Sequence, residues 1–208
     1  MLTLTQTLSF LAAAVLLTIS PGPDNLMVLS LGMARGRRPG MAFGLGCALG
    51  CLSHTLLAVL GVSALIAASP TAFGLLKLAG GAYLLWLGVQ ALRHAGAVRL
   101  DRPAQADTRW GPLFAKGLLA NAINPKVVLF FLSFLPQFVQ PAQGAVALQL
   151  GLLGLIFTAQ AALLFGLLGY FSGQVGAWIT RRPGVGPWLD RLAGAVFVGL
   201  GLRLLVSR

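Results

Sequence analysis

Charge is what this sequence has least of. Only 9% of its 208 residues are Asp, Glu, Lys or Arg, and four of them are acidic. Ordinary soluble domains carry roughly 25% charged residues. A soluble chain of this size would need a polar surface that 15 basic and 4 acidic residues do not supply, so a soluble enzyme is excluded first. Cysteine is almost as scarce. Cys47 and Cys51 lie four apart in one apolar run, a poor disulfide frame on a helix, and the redox compartment stays open. No further soft ligands accompany them, which argues for packing and against a metal site. A basic start is missing as well: the first basic side chain is Arg35, whereas a secretory signal opens with positive charge. Met1 to Ile19 is therefore read as a retained membrane helix.

What is abundant is apolar: 57% of the residues are hydrophobic and the mean hydropathy is +0.87. A bilayer-spanning helix takes about 20 mostly apolar residues. Six runs use most of the length: Leu4 to Met33, Gly40 to Ala67, Phe73 to Leu92, Leu113 to Phe134, Ala145 to Phe171 and Val185 to Val206. The first, second and fifth exceed a flat span, so tilt or a break is expected. The formal net charge of +11 would suggest nucleic acid in a soluble protein. Here the bases sit between apolar runs, where cytoplasmic loops collect them, and no nucleic-acid partner is expected. The expected class is an all-α integral membrane protein, multi-pass in the cell (inner) membrane, surrounded by lipid and without a cofactor.

One clearly hydrophilic stretch, Ala95 to Pro112, falls near the middle. It divides the chain into residues 1–94, a linker 95–112 and residues 113–208, each flank holding three runs. The flanks look like copies. Gly22-Pro23-Asp24 corresponds to Asn124-Pro125-Lys126 at an offset of 102, which also carries Pro39 onto Pro141. Lys77-Leu78-Ala79-Gly80 corresponds to Arg191-Leu192-Ala193-Gly194 at an offset of 114, with Tyr83 opposite Phe197. Chance is the alternative for matches this short. Three helices per copy would put the second copy into the membrane upside down. Equivalent loops do differ in charge as inversion requires: Arg35, Arg37 and Arg38 against the uncharged Gln137 to Gln143, and Arg181 and Arg182 against the uncharged Ala67 to Thr71. The connectors with Arg35, Arg99 and Arg181 are then cytoplasmic and both termini outside, an orientation that Arg203 and Arg208 oppose.

The first and fourth runs are interrupted by proline. Pro21 and Pro23 take the partners from the carbonyls of Leu17 and Ile19, and Pro125 does so for Asn121. In lipid such freed groups persist only where protein or a wet cavity satisfies them. Pro23 and Pro125 suit the first position of a new half-helix, with Gly22 and Asn124 as caps. Broken helices in corresponding places point to a transporter's midplane site; kinks that only help helices pack are the blander account. Charge decides between them. Asp24 lies inside an apolar run, and Lys126, its counterpart, is the base placed most deeply in one. A central charge costs about 2.5 to 3.5 kcal/mol on insertion scales, so the pair is expected close together across the repeat axis.

At these residues the chain resembles the LysE/RhtB family of amino-acid exporters. The resemblance rests on Ser20-Pro21-Gly22-Pro23, on Asn121 through Phe131 (Asn-Ala-Ile-Asn-Pro-Lys-Val-Val-Leu-Phe-Phe), on Phe134 through Val139, and on Leu78 to Gly88. It implies export of amino acids or related small solutes from the bacterial cytoplasm, driven by proton antiport.

A zwitterionic substrate needs an acceptor for its ammonium and donors for its carboxylate. Asp24 and freed carbonyls offer the first, Lys126 and half-helix N-termini the second. Asp24 also has the chemistry to exchange a proton. Asn25, Asn121 and Asn124 bind substrate or satisfy broken backbone. His54, near the centre of the second run beside Ser53, is a proton-relay candidate or a histidine bonded to a neighbouring helix. Thr158 and Gln160 are weaker candidates. Phe130 and Phe131, beside the second break, are expected to set pocket size. Lys77 and Arg191 are read as snorkelling, and Tyr83, Trp86, Trp110, Trp178 and Trp188 as interface anchors or core. Gly40, Gly44, Gly46 and Gly50 permit close helix contact, within the chain or in a homodimer. The competing classes are an intramembrane hydrolase, a thiol electron carrier and a structural membrane protein. Ser53 and His54 face different sides of a helix, the second half has no cysteine, and a structural protein has no need of Asp24 and Lys126.

Overall fold

The computed structural model describes residues 2–95, 108–182 and 184–206. The hydrophilic linker expected at 95–112 therefore lies largely outside the described residues, as does Arg208. Among the described residues the chain is helical throughout, without strands.

The first run forms two helices, α1 (Leu4–Ile19) and α2 (Pro23–Arg35). Helix α1 opens on a capping box, Thr3 with Gln6, which satisfies two otherwise orphaned N–H groups. It stops where Pro21 and Pro23 cannot continue the hydrogen-bond ladder. The chain bends by 55° between the two. Gly36, at φ +92°, ends α2 and leads into α3 (Arg37–Leu57); this left-handed conformation suits glycine. Helix α3 continues through a π-helical turn, Ala58–Val62, and α4 (Ser63–Ala68). Ser69 caps α5 (Pro70–Arg93) by accepting from the Ala72 N–H. The second broken pair is α6 (Trp110–Ala122) and α7 (Pro125–Leu129), the latter prolonged by π- and 3-10-helical turns to Phe138; the bend is 50°. Helices α8 (Val146–Tyr170), α9 (Ser172–Arg181) and α10 (Val185–Val206) complete the chain.

Three helices are long and apolar enough to cross a membrane, Arg37–Ile66, Thr71–Arg93 and Val146–Tyr170, or five spans if each bent pair counts as one. The sixth expected span, α10, is not among them; it carries three charged residues, Asp190, Arg191 and Arg203.

Helix α3 is central, packed on α2, α6 and α8, while α5 pairs with α10. Small residues make these contacts. A Cβ on Gly46 would lie 2.1 Å from the Phe114 carbonyl oxygen, and one on Gly117 2.1 Å from that of Phe43. Further on, Gly50 meets Leu118 and Asn121, so the backbones of α3 and α6 run parallel at close range. Against α8, Gly44 meets Phe165 and Gly40 meets Gly169, which makes that pair antiparallel. Gly81 with Gly201 and Gly88 with Gly194 do the same for α5 and α10. Without a hydrophobic drive between helices in lipid, such close packing holds them together. All four glycines singled out in α3 serve contacts within the chain. The apolar centre is aromatic: Phe10, Phe130, Phe131, Phe134, Phe138 and Phe157 form a chain of ring contacts at 4.9 to 6.2 Å.

At one end of the bundle a buried amide network ties the start of α1 to the start of α8. Gln6 Nε2 donates to the Phe138 carbonyl and, at 2.9 Å, to Gln149 Oε1. Gln149 Nε2 donates to the carbonyls of Gln140 (2.9 Å) and Gly144 (3.2 Å), while its Oε1 accepts from the Gln140 N–H at 3.0 Å.

Candidate substrate site

The two breaks meet. Helix α2 begins with Pro23 at its first position and Asp24 in its first turn, where the positive end of the helix dipole favours a carboxylate. Helix α7 begins with Pro125, capped by Asn124, whose Oδ1 accepts from the Lys126 N–H at 3.1 Å. The other end of the same amide donates to Asp24 Oδ2 at 3.0 Å. Asn121, at the end of α6, donates to that oxygen too, at 2.9 Å. Asn121 is 1% and Asp24 6% exposed, so these charge-assisted bonds form away from water, where each contributes about 1.5 to 3 kcal/mol.

Lys126 does not pair directly with Asp24. Among the described residues no N···O contact within 4.0 Å joins them. Its Nζ donates instead to the Ser20 carbonyl at 2.9 Å, 5.2 Å from the Phe197 ring centre. A Cβ on Gly22 would lie 3.4 Å from that ammonium, so the absent side chain clears its approach. The expected contact pair is thus a pair separated by one small cavity, because broken backbone competes for the lysine and asparagine amides take the carboxylate.

The freed carbonyls behave in part as the prolines dictate. The Asn121 carbonyl, stripped of its partner by Pro125, sits 3.0 Å from His54 Nε2 and accepts the Asn124 N–H at 2.9 Å. The carbonyls of Thr18 and Ser20 are also used, by Asn25 Nδ2 at 2.8 Å and by Lys126. Counting proline clashes alone misses these two. They open because the extended residues between α1 and α2 redirect the N–H groups of residues 22 and 24.

Asp24, Asn25, Asn121, Asn124 and Lys126 line one cavity of about 20 Å³, walled by Leu17, Thr18, Cys51, Val127, Phe157 and Phe165. That is room for about one water. Phe130 and Phe131 do not set its size: both are fully buried in the aromatic core, and the aromatic wall comes from α8. On the far side of Gly22, Asn124 and Lys126 lies an open cleft of about 540 Å³ bounded by Tyr83, Trp86, Gln90, His94, Asp190 and Phe197. Tyr83 and Trp86 are therefore cleft residues. Asp190, 8% exposed, has no role in the sequence reading; an acidic residue inside the sixth apolar run was its signal. Thr158 bonds back to the Gly154 carbonyl and Ser53 to that of Gly50, each within its own helix. Cys51 Sγ lies 3.4 Å from Asn121 Oδ1, so this thiol packs behind the site.

A family model described as LysE type translocator matches residues 15–208. The chain belongs to the LysE type translocator family. It is a membrane translocator and not an enzyme. Among relatives of this LysE chain, an uncharacterized membrane protein of Pseudomonas aeruginosa is 35% identical over 96% of this chain and 94% of its own. The homoserine/homoserine lactone efflux protein of Salmonella typhimurium is 33% identical over 96% of each chain. The threonine efflux protein of Escherichia coli is 33% identical over 91% of this chain and 92% of its own. No solved structure matches.

Proposed function

We propose that this LysE translocator exports small zwitterionic amino acids by proton antiport, with Asp24 and Lys126 as the two poles of the substrate site. One observation carries the reading: a carboxylate and an ammonium face a single buried cavity between two broken helices, and Lys126 is reached from one side through a wide cleft. The efflux names of two relatives support amino-acid cargo.

The substrate's ammonium goes to Asp24 and its carboxylate to Lys126, with Asn25, Asn121 and Asn124 orienting the head group. A proton on Asp24 competes with the substrate ammonium, which couples the two flows. His54 serves as a relay through Nδ1, which no described group bonds, while its Nε2–H holds the carbonyl of Asn121, the residue that bonds Asp24. Two inverted three-helix repeats, residues 1–94 and 113–208, rock about the breaks at Pro21, Gly22, Pro23 and Pro125, and each bent pair together with α3, α5, α8 and α10 makes six spans. The antiparallel pairing of α3 with α8 and of α5 with α10 supports that symmetry. In this orientation the cleft beside His94 opens to the cytoplasm and the Gln6–Gln149 network closes the outer side. The present conformation is then inward-facing, with the central cavity collapsed.

Counterflow in proteoliposomes tests the reading. Saturable exchange of threonine or homoserine, accelerated by a proton gradient, is expected from the native chain. Asp24→Asn is expected to lose the acceleration, and His54→Gln to weaken it. Full proton-coupled exchange by Asp24→Asn removes the proposed role of the carboxylate.

A further inference from the structure

Gln160 lies mid-way along α8, two residues after Thr158, and is 9% exposed. Its Nε2 donates to Thr18 Oγ1 at 2.9 Å. Thr18 spends its own proton on the Ala14 carbonyl, also at 2.9 Å, so the group facing Thr18 must be a donor. That fixes the amide: nitrogen toward Thr18, oxygen away. No donor among the described residues reaches Gln160 Oε1. An unpaired amide oxygen in a membrane interior is costly, and such an atom in a native fold asks for a reason. Thr18, which Gln160 holds, lines the central cavity, and so do Phe157 and Phe165 on either side of Gln160 in α8. Thr18, Asn25 and Phe165 also line a second hollow of about 290 Å³. Gln160 itself lines neither hollow, but Thr18, the residue it bonds, lines both.

We infer that Gln160 is a specificity-determining residue whose free oxygen accepts a hydrogen bond from a donor on the substrate side chain, so that the transporter selects short hydroxy amino acids over aliphatic ones of equal size. The inference rests on the export reading. An amide oxygen only accepts, so the matching group is a donor. The substrate ammonium is already taken by Asp24, and its carboxylate has no proton to give. The side-chain hydroxyl remains. Thr18 is the positioning residue that aims the amide.

The test is competitive counterflow with two isosteric pairs, threonine against valine and homoserine against norvaline, each differing by a hydroxyl for a methyl. The native chain is expected to favour the hydroxylated member by at least about tenfold in one pair, and Gln160→Met to abolish most of that preference while still moving valine or norvaline. Thr18→Val, which frees the amide without shrinking the wall, is expected to lower the same ratio; it decides the matter if Gln160→Met does not reach the membrane. Unchanged ratios in a variant that transports both members overturn the inference and leave export standing. A native chain that moves none of the four overturns export, and this selectivity with it.

Discussion

Asn124 does two things with one amide, and substitution separates them. Its Oδ1 caps α7 and its Nδ2 bonds the Asp24 carboxylate. Asn124→Ser keeps a capping oxygen and gives up the bond to Asp24. A hydrogen bond to a charged, buried acceptor contributes about 1.5 to 3 kcal/mol, so the ordered carboxylate should lose about 10- to 150-fold in population relative to alternatives. Asn121 still holds Oδ2, which places the expected effect at the lower end. Asn124→Ala loses the cap too, worth about 1 kcal/mol more, and should lower the unfolding midpoint as well as transport. Asn124→Asp retains the cap but sets a second carboxylate against Asp24, where like charges repel; its defect should be the largest and should ease as the pH falls. Counterflow rates and thermal unfolding of the purified chain read both quantities. Native rates in Asn124→Ser, or identical behaviour of the serine and alanine variants in both assays, would refute the division of labour.

Two further outcomes follow from packing. Gly46→Ala and Gly117→Ala each drive a methyl to 2.1 Å from a backbone oxygen, so α3 and α6 must part by about 1 Å, at an overpacking cost of about 1 to 3 kcal/mol; α6 carries Asn121, so transport should fall with stability, whereas Gly199→Ala, with nothing within 4 Å, should change neither. If Gly46→Ala matches Gly199→Ala in both measurements, the close approach of α3 and α6 is wrong. Gln149→Leu removes the hub of the amide network and leaves Gln6 with the Phe138 carbonyl; an unfolding midpoint lowered by loss of about 1 to 3 kcal/mol, and a substrate leak in the absence of exchange partner, are expected. A tight, fully stable variant would show that the network does not close the outer side.

Legibility in the sequence followed the chemistry of single residues. Pro23 and Pro125 suit the first position of a helix, since each lacks an N–H and has a fixed φ, and α2 and α7 begin at them. Gly44, Gly46 and Gly50 announced close helix contact because a missing Cβ has few other uses on a buried helix face. Asp24 and Lys126 stood out because charge in lipid needs a reason. Partner choice was another matter. That Lys126 would prefer the Ser20 carbonyl, and Asp24 two asparagine amides, depends on where four separate helix ends arrive. Nearness in sequence to Pro125 suggests Phe130 and Phe131 as pocket walls; they lie instead in a π-helical turn, buried in the core, and Phe157 and Phe165 of α8 form the wall.

The sequence by itself determined the solvent, the helical class, the places where helices stop and the residues too polar to be there idly. Each of these is a local property, set by transfer free energy or by the backbone of one or two residues. Only the tertiary structure decided which amide meets which carboxylate, that the central cavity is small while the cleft beside it is wide, and that Gln160 keeps one oxygen unpaired. Those depend on the relative placement of α1, α2, α6, α7 and α8, which no single segment encodes.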